Sequence, residues 1–223
     1  MNETKRNHTV QRAFLQNFSK KINKGFFLYQ FDKIIENPKP IRININNATV
    51  IKHFYPQFFE DWLSVIEGNG IRVINKIIED KSVVGLNKEE KLNLMAWIIT
   101  QDLRTKERRN ELKQIAENLT KAVMQYSIIP RKYPQYKGKD FRVEYSDKIM
   151  EHHQIFHTRD MIEKCLPIMA NYRIYLLRNE SNPYTPFYTA DHPIMMDNVY
   201  YKKMKKYDNL IANGMGYLCK GVE

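Results

Sequence analysis

The run Leu92 to Ile99 is apolar at nearly every position, and a helix with that pattern must be covered by neighbours on all sides. Around it, residues 86 to 109 read as a central strut. Asn87 followed three residues later by Glu90 has the form of a capping box, which fixes where the helix starts. Immediately after the apolar run, Gln101, Arg104 and Thr105 stand at i, i+3 and i+4 and so share one face. A guanidinium at the edge of a core needs a partner, which makes this helix end the first place to look for a site.

Periodicity places the other elements around that strut. Residues 8 to 18 put Val10, Phe14, Leu15 and Phe18 on one stripe of a short helix. Gly25 to Phe31 is dense in aromatics and reads as a strand. Ile41 to Asn46 alternates strictly, with Ile41, Ile43 and Ile45 on the core side. These two strands are expected to pair as a hairpin. From Gln57 the period is helical, through Phe58, Trp62, Val65 and Ile66, and resumes after Gly68-Asn69-Gly70 with Ile71, Ile74, Ile77 and Ile78; two helices or one bent helix fit equally. Beyond Arg109, the stripe from Leu112 to Tyr126 predicts that the strut continues, amphipathic, up to Pro130, with a surface loop from there to Asp140. Residues 147 to 170 read as a further helix, disturbed by Pro167 in its last turn. Tyr172 to Arg178 and Pro186 to Ala190 read as a second hairpin. The fold class expected is α+β, a central helical bundle with strands from the N- and C-terminal parts forming one sheet, in a single domain spanning 1–223.

Composition narrows the function classes. The chain of 223 residues is 43% hydrophobic and 27% charged, which excludes a disordered or collagen-like chain. No apolar run approaches the ~20 residues that cross a bilayer, and the N-terminus has no apolar leader segment. Cys165 and Cys219 are too few for a disulfide framework, so the expected compartment is the reducing cytoplasm, with no membrane and no disulfide-linked partner. A net charge of +11 raises the odds of a polyanionic partner, RNA or DNA or an acidic membrane surface, against the competing reading of a lysine-rich surface that binds nothing acidic. The cluster Lys202, Lys203, Lys205 and Lys206 beside Tyr200, Tyr201 and Tyr207 fits either a single-strand binder or a solvated loop tip.

Three stretches together resemble the bacterial domain-of-unknown-function 4238 family. Its opening signature resembles His8-Thr9-Val10-Gln11-Arg12-Ala13-Phe14-Leu15-Gln16-Asn17-Phe18, with Gln11 where the family has Pro. Its middle signature resembles Gln101-Asp102-Leu103-Arg104-Thr105-Lys106 with Arg109, Lys106 again replacing a Pro. Its late signature resembles Phe187-Tyr188-Thr189-Ala190-Asp191-His192-Pro193, where Ala190 and His192 depart from Ser and Asn. Glu67 also fits a family position. The resemblance implies a further strand with a Pro-Leu-Ser-Pro element after Glu223, hence a shortened chain, and it brings no settled activity.

The family-like polar positions suggest two kinds of role. In the first, Arg104 holds a phosphate bidentately, joined by Arg12, Gln101 and Thr105 as ligand-binding residues. His8 then serves as general acid or base, and Glu67 and Asp191 hold a hard cation such as Mg²⁺. That set would suit phosphodiester cleavage by a nuclease-like enzyme, in a toxin or phage-defence setting. In the second, Arg104 and Glu67 or Asp191 form a buried ion pair that sets how helix meets sheet, and the basic surface alone docks RNA, DNA or protein. A small-molecule hydrolase is a third possibility. His153 and His157 share a helical face but lack the His-Glu-x-x-His order and a third ligand of a zinc site.

Overall fold

The computed structural model describes residues 6–32, 35–37, 39–179 and 187–194, together with the backbone of the short strands 196–197 and 218–219. The N-terminal part is built of short strands and one short helix: β1 (Arg6–His8), α1 (Arg12–Gln16), β2 (Lys20–Ile22), β3 (Gly25–Gln30), β4 (Ile41–Asn44) and β5 (Val50–Lys52). Helices follow: α2 (Gln57–Asp80), α3 (Lys88–Leu103), α4 (Lys106–Val123), the single turn α5 (Ile129–Lys132) and α6 (Asp147–Met169). Two further strands, β6 (Met196–Asp197) and β7 (Leu218–Cys219), pair with each other. The class is α+β.

The expected hairpin is present: β3 and β4 pair antiparallel with Leu28 opposite Ile43 and Tyr29 opposite Arg42, and β2 adds to the far edge of β3. Ile45 is buried as expected, but Ile41 is exposed at the sheet's end. Phe26, Leu28 and Ile43 close over Val10, Leu15, Ile45 and Ala48. The strands do not form one sheet. β1 pairs only with β5, Arg6 lying opposite Lys52 and His8 opposite Val50, and the β6–β7 ladder is separate from both N-terminal sheets.

Helices α2 and α3 form the main packed pair. Gly68-Asn69-Gly70 leaves α2 unbroken, because the buried residues Phe59, Leu63, Gly70, Val73 and Ile77 lie on one continuous stripe. Gly70 lies against Trp97 so closely that an added Cβ would overlap the indole side chain, whereas Gly68 faces open space. The capping box on α3 is formed: Asn87 Oδ1 accepts from Glu90 N at 2.9 Å and Glu90 Oε2 accepts from Asn87 N at 2.8 Å. Glu90 also meets Lys76 of α2 at 2.6 Å. No residue from Leu92 to Thr105 is exposed, so the all-round apolar pattern was a true sign of enclosure.

Three further expectations are corrected. The strut is broken at Thr105, which adopts an extended conformation with ψ 156, ends the α3 ladder and caps α4 by accepting from Arg108 N at 3.2 Å. Beyond that break the expected one-sided helix does continue past Arg109 and through Pro130, by way of α4, a π-helical turn at Met124–Ile128 and α5. Lys106, where the family signature has Pro, is then the first residue of a helix, a position that suits Pro. The proposed helix at 8–18 is shorter, since His8 belongs to β1 and the helix begins at Arg12. Residues 172–178 and 187–190 form no ladder, so the second hairpin is absent among the described residues; Ile174 instead packs on the Val73, Ile77 and Leu94 cluster. Strand propensity reports a fit to a half-buried pleated surface, and here no partner strand supplies one. The basic cluster at 202–206 lies outside the described residues.

The Gly70 contact predicts that Gly70→Ala costs about 1–3 kcal/mol through overpacking, while Gly68→Ala on the open side of the same helix gains up to about 1 kcal/mol from helix propensity. Urea denaturation of the two variants checks the opposite signs.

Candidate functional site

The end of α3 delivers Arg104 into a space bounded by α2 and β1. Its side chain is only 2% exposed. Nη1 pairs with Glu67 Oε1 of α2, Nη2 donates to the His8 carbonyl of β1, and Glu60 Oε1 lies 3.9 Å from Nη2. The Arg104 carbonyl accepts from the Tyr55 hydroxyl at 2.7 Å. A second line of hydrogen bonds runs through the neighbouring amides. Gln101 Nε2 donates to Glu67 Oε1 at 2.9 Å, and Gln101 Oε1 accepts from Gln11 N at 3.1 Å. Gln11 Nε2 donates to the Glu67 carbonyl at 3.1 Å, and Gln11 Oε1 accepts from Trp97 Nε1 at 2.7 Å. A Pro at position 11 could supply neither the backbone N–H nor the side-chain amide, so this departure from the family signature has its own role.

Burial sets the ionisation of these groups. It lowers the Arg104 pKa against the attraction of Glu60 and Tyr55, but a guanidinium stays protonated in proteins. Burial also raises the Glu60 pKa, opposed first by Arg104. Desolvation pushes the Tyr55 phenol up, keeping it a donor. The corner is therefore a cation held between two carboxylates and a carbonyl, in a region of low dielectric.

Of the sequence-derived candidates, His8, Glu67, Gln101 and Arg104 converge, His8 through its backbone. The His8 imidazole is half-buried, with Nδ1 3.1 Å from the Ala48 carbonyl, which makes Nδ1 the protonated nitrogen of the neutral ring. Burial lowers its pKa most, and the positive charges of Arg104, Arg12 and Arg6 act in the same direction, against the Ala48 bond. Arg12 is exposed and donates to Asn46 Oδ1 at 3.3 Å. Arg6 donates to the Asn46 carbonyl at 3.1 Å and to Asn47 Oδ1 at 2.7 Å. Thr105 is buried as the α4 cap. Asp191 does not converge: it is exposed and, among the described residues, forms no ion pair with Arg104. Arg104 Nη1 and Nη2 face protein oxygens, Nε is buried without a hydrogen-bond partner among the described residues, and the side chain is enclosed. Among the described residues no three His, Cys, Asp or Glu side chains are grouped to hold a metal.

A second ionic cluster, centred on Asp102, lies at the α3–α4 corner. Asp102 is 1% exposed and accepts from Arg108 Nη2 on both oxygens, at 3.0 and 2.9 Å. His192 Nε2 lies 2.8 Å from Asp102 Oδ1, and its Nδ1 is 3.4 Å from Glu107 Oε2. The bond to Asp102 is the main cause of a raised His192 pKa. Arg108 reaches Glu111 at 2.6 Å. The neighbouring Arg109 sits over the Phe54 ring at 3.5 Å and donates to Gln154 Oε1 at 2.7 Å, while Gln154 Nε2 donates to the Leu103 and Thr105 carbonyls. Thus α6 is tied to the same corner. Sequence reasoning passed over Asp102 and Arg108 because six positions across a helix break match no periodic rule; the visible signal was an acid lying beside Arg104 in an otherwise apolar helix.

A family model described as "Protein of unknown function (DUF4238)" matches residues 6–213 of the 223. The chain belongs to that family. No curated protein and no solved structure gives a significant match. The match to DUF4238 takes in all three signature stretches, two of which meet at Arg104, while the third reaches the corner through His192. No helix among the described residues is long and apolar enough to cross a membrane.

Removing either partner of the buried pair is expected to cost about 3–5 kcal/mol, because the other charge is left uncompensated. Arg104→Met and Glu67→Gln should each show this in chemical denaturation, with the double variant costing less than the sum. The second cluster predicts a pH dependence. A raised folded pKa at His192 means that its contribution to docking residues 187–194 is complete below the unfolded value of 6.5 and is lost as pH rises through the folded value. Hydrogen exchange in that segment should accelerate across this window in the wild type, and His192→Asn should remove the dependence.

Proposed function

We propose that this DUF4238 protein binds nucleic acid through its strand-rich N-terminal part, and that the buried Arg104 corner is the architecture holding that part on the helices. One observation carries the reading. Between residues 6 and 52, nine lysines and arginines stand against two acidic residues. The eight that are described are all exposed, Arg6, Arg12, Lys20, Lys21, Lys24 and Arg42 among them. Within the described residues none of the eight has a carboxylate partner; Arg6 and Arg12 bond only to Asn46 and Asn47. Elsewhere acidic residues are interspersed with the basic ones, and several cations are paired, as in Lys76–Glu90, Arg108–Asp102 and Lys121–Asp140, although others such as Lys81, Lys88 and Lys132 form no ion pair among the described residues. Unpaired surface cations of one sign concentrated in one part of a chain are the electrostatic footprint of a phosphate backbone. Arg104, being enclosed, contributes through stability.

His8 favours a second reading, phosphodiester cleavage. Its Nδ1 is committed to Ala48, which leaves Nε2 as the lone-pair nitrogen, and the lowered pKa keeps the ring neutral at pH 7 beside Arg6 and Arg12. Binding, however, needs nothing beyond the cations themselves.

Anisotropy of a labelled oligonucleotide titrated across salt concentration tests the proposal. Log affinity should fall linearly with log salt, with a slope of about −0.7 per phosphate contact for a single strand. The triple variant Lys20→Glu, Lys21→Glu, Lys24→Glu should bind more weakly with a shallower slope. Salt-independent binding, or an unchanged triple variant, contradicts it. Cleavage of the oligonucleotide by the wild type that vanishes in a folded His8→Ala variant would install the second reading.

A further inference from the structure

We infer that the outer face of the β2–β3–β4 sheet is a stacking platform for the unpaired bases of a single-stranded nucleic acid. This deepens the preceding proposal and rests on it. The register determines what that face carries. Directly opposite residues in an antiparallel ladder share a face, so Lys20, Phe27 and Asn44 form one row and Tyr29 and Arg42 the next. The opposite face, with Phe26, Leu28 and Ile43, is closed over the core. The outer face therefore presents two aromatic rings and two cations, with no acidic residue in either row.

The Tyr29 ring is open, and the Phe27 ring is half-buried. Tyr29 is 64% exposed. Phe27 lies over Gly25, where an added Cβ would come within 2.8 Å of Phe27 Cε2 and 3.0 Å of Asn44 Nδ2, so the bare glycine is what lets the ring lie along the strand. The Arg42 guanidinium sits 5.5 Å from the Phe27 centroid. An exposed tyrosine beside a partly exposed phenylalanine is poorly solvated by itself, and a protein partner with an apolar patch would leave Lys20 and Arg42 unmatched. Bases on an anionic backbone satisfy both demands: each base offers a π-face to Phe27 or Tyr29, while the phosphates meet Lys20 and Arg42. A duplex satisfies only the second, because its bases are already stacked on one another.

The test compares labelled 12-mers of oligothymidylate and oligouridylate, an abasic 12-mer of equal charge and a duplex. Wild type should bind the base-bearing strands at least about ten-fold tighter than the abasic strand or the duplex. Tyr29→Ala, on an exposed side chain that the fold does not need, should weaken binding of the base-bearing strands by about ten-fold and leave the abasic strand unchanged, while Tyr29→Phe retains wild-type affinity. The oligothymidylate and oligouridylate arms read out any preference for deoxyribose or ribose. Equal affinity for base-bearing and abasic strands, or an unaltered Tyr29→Ala, overturns the platform while leaving salt-dependent phosphate binding standing. Absence of binding to any of the four at low salt overturns both.

Discussion

A guanidinium taken out of water must find oxygens to offset its lost hydration, and that demand at Arg104 determines how the strand-rich part of this protein meets its helices. Its partners come from two separate parts of the chain: Glu60 and Glu67 on α2, and the His8 carbonyl on β1. A lysine could not span these positions, since the planar fork directs two nitrogens at two different elements at once. The amide relay of Gln101, Gln11 and Trp97 then joins the same elements along a second line. Such a corner is weak evidence for raw stability, because desolvation offsets much of the attraction, but it discriminates strongly against any other docking of strand on helix.

The architecture and the proposed binding function use charge in opposite ways. At the corner every cation is enclosed and matched. Between residues 6 and 52 the described cations are exposed and lack a carboxylate partner among the described residues. His8 stands where the two regimes touch, its carbonyl in the enclosed corner and its imidazole half-open beside Arg6 and Arg12. The signature residues of the family thus divide into a structural set, Gln101, Arg104, Thr105 and Glu67, and a set that meets solvent, His8, Arg12 and Asp191.

Local signals were the legible part of the sequence. The capping box at Asn87 and Glu90, the β3–β4 hairpin and the enclosed run from Leu92 each depend on neighbours a few positions away, and each is present in the structure. Elements decided by tertiary context were not legible. The break at Thr105 carries an ordinary capping signal, but an apolar stripe continuing on both sides of it masks the turn. Tyr172 to Arg178 has strand composition without a strand to pair with. Within the candidate site, the Arg104 face was legible from helical spacing, the grouping of His8 and Glu67 with it came only from the family resemblance, and the enclosure that turns Arg104 away from solvent is a property of how α2 crosses α3.

That crossing has an evolutionary corollary. Glu67 and Gly70 are three residues apart on α2, one joined to Arg104 and the other pressed against Trp97, so the helix is gripped at two points on a single turn. Losing or gaining one residue between them would swing the later side chains by about 100° and move either the carboxylate or the glycine off its mark. Length variation among natural relatives should accordingly be barred from this turn and tolerated at the far end, beyond Asp80, where the chain leaves the helix through Lys81.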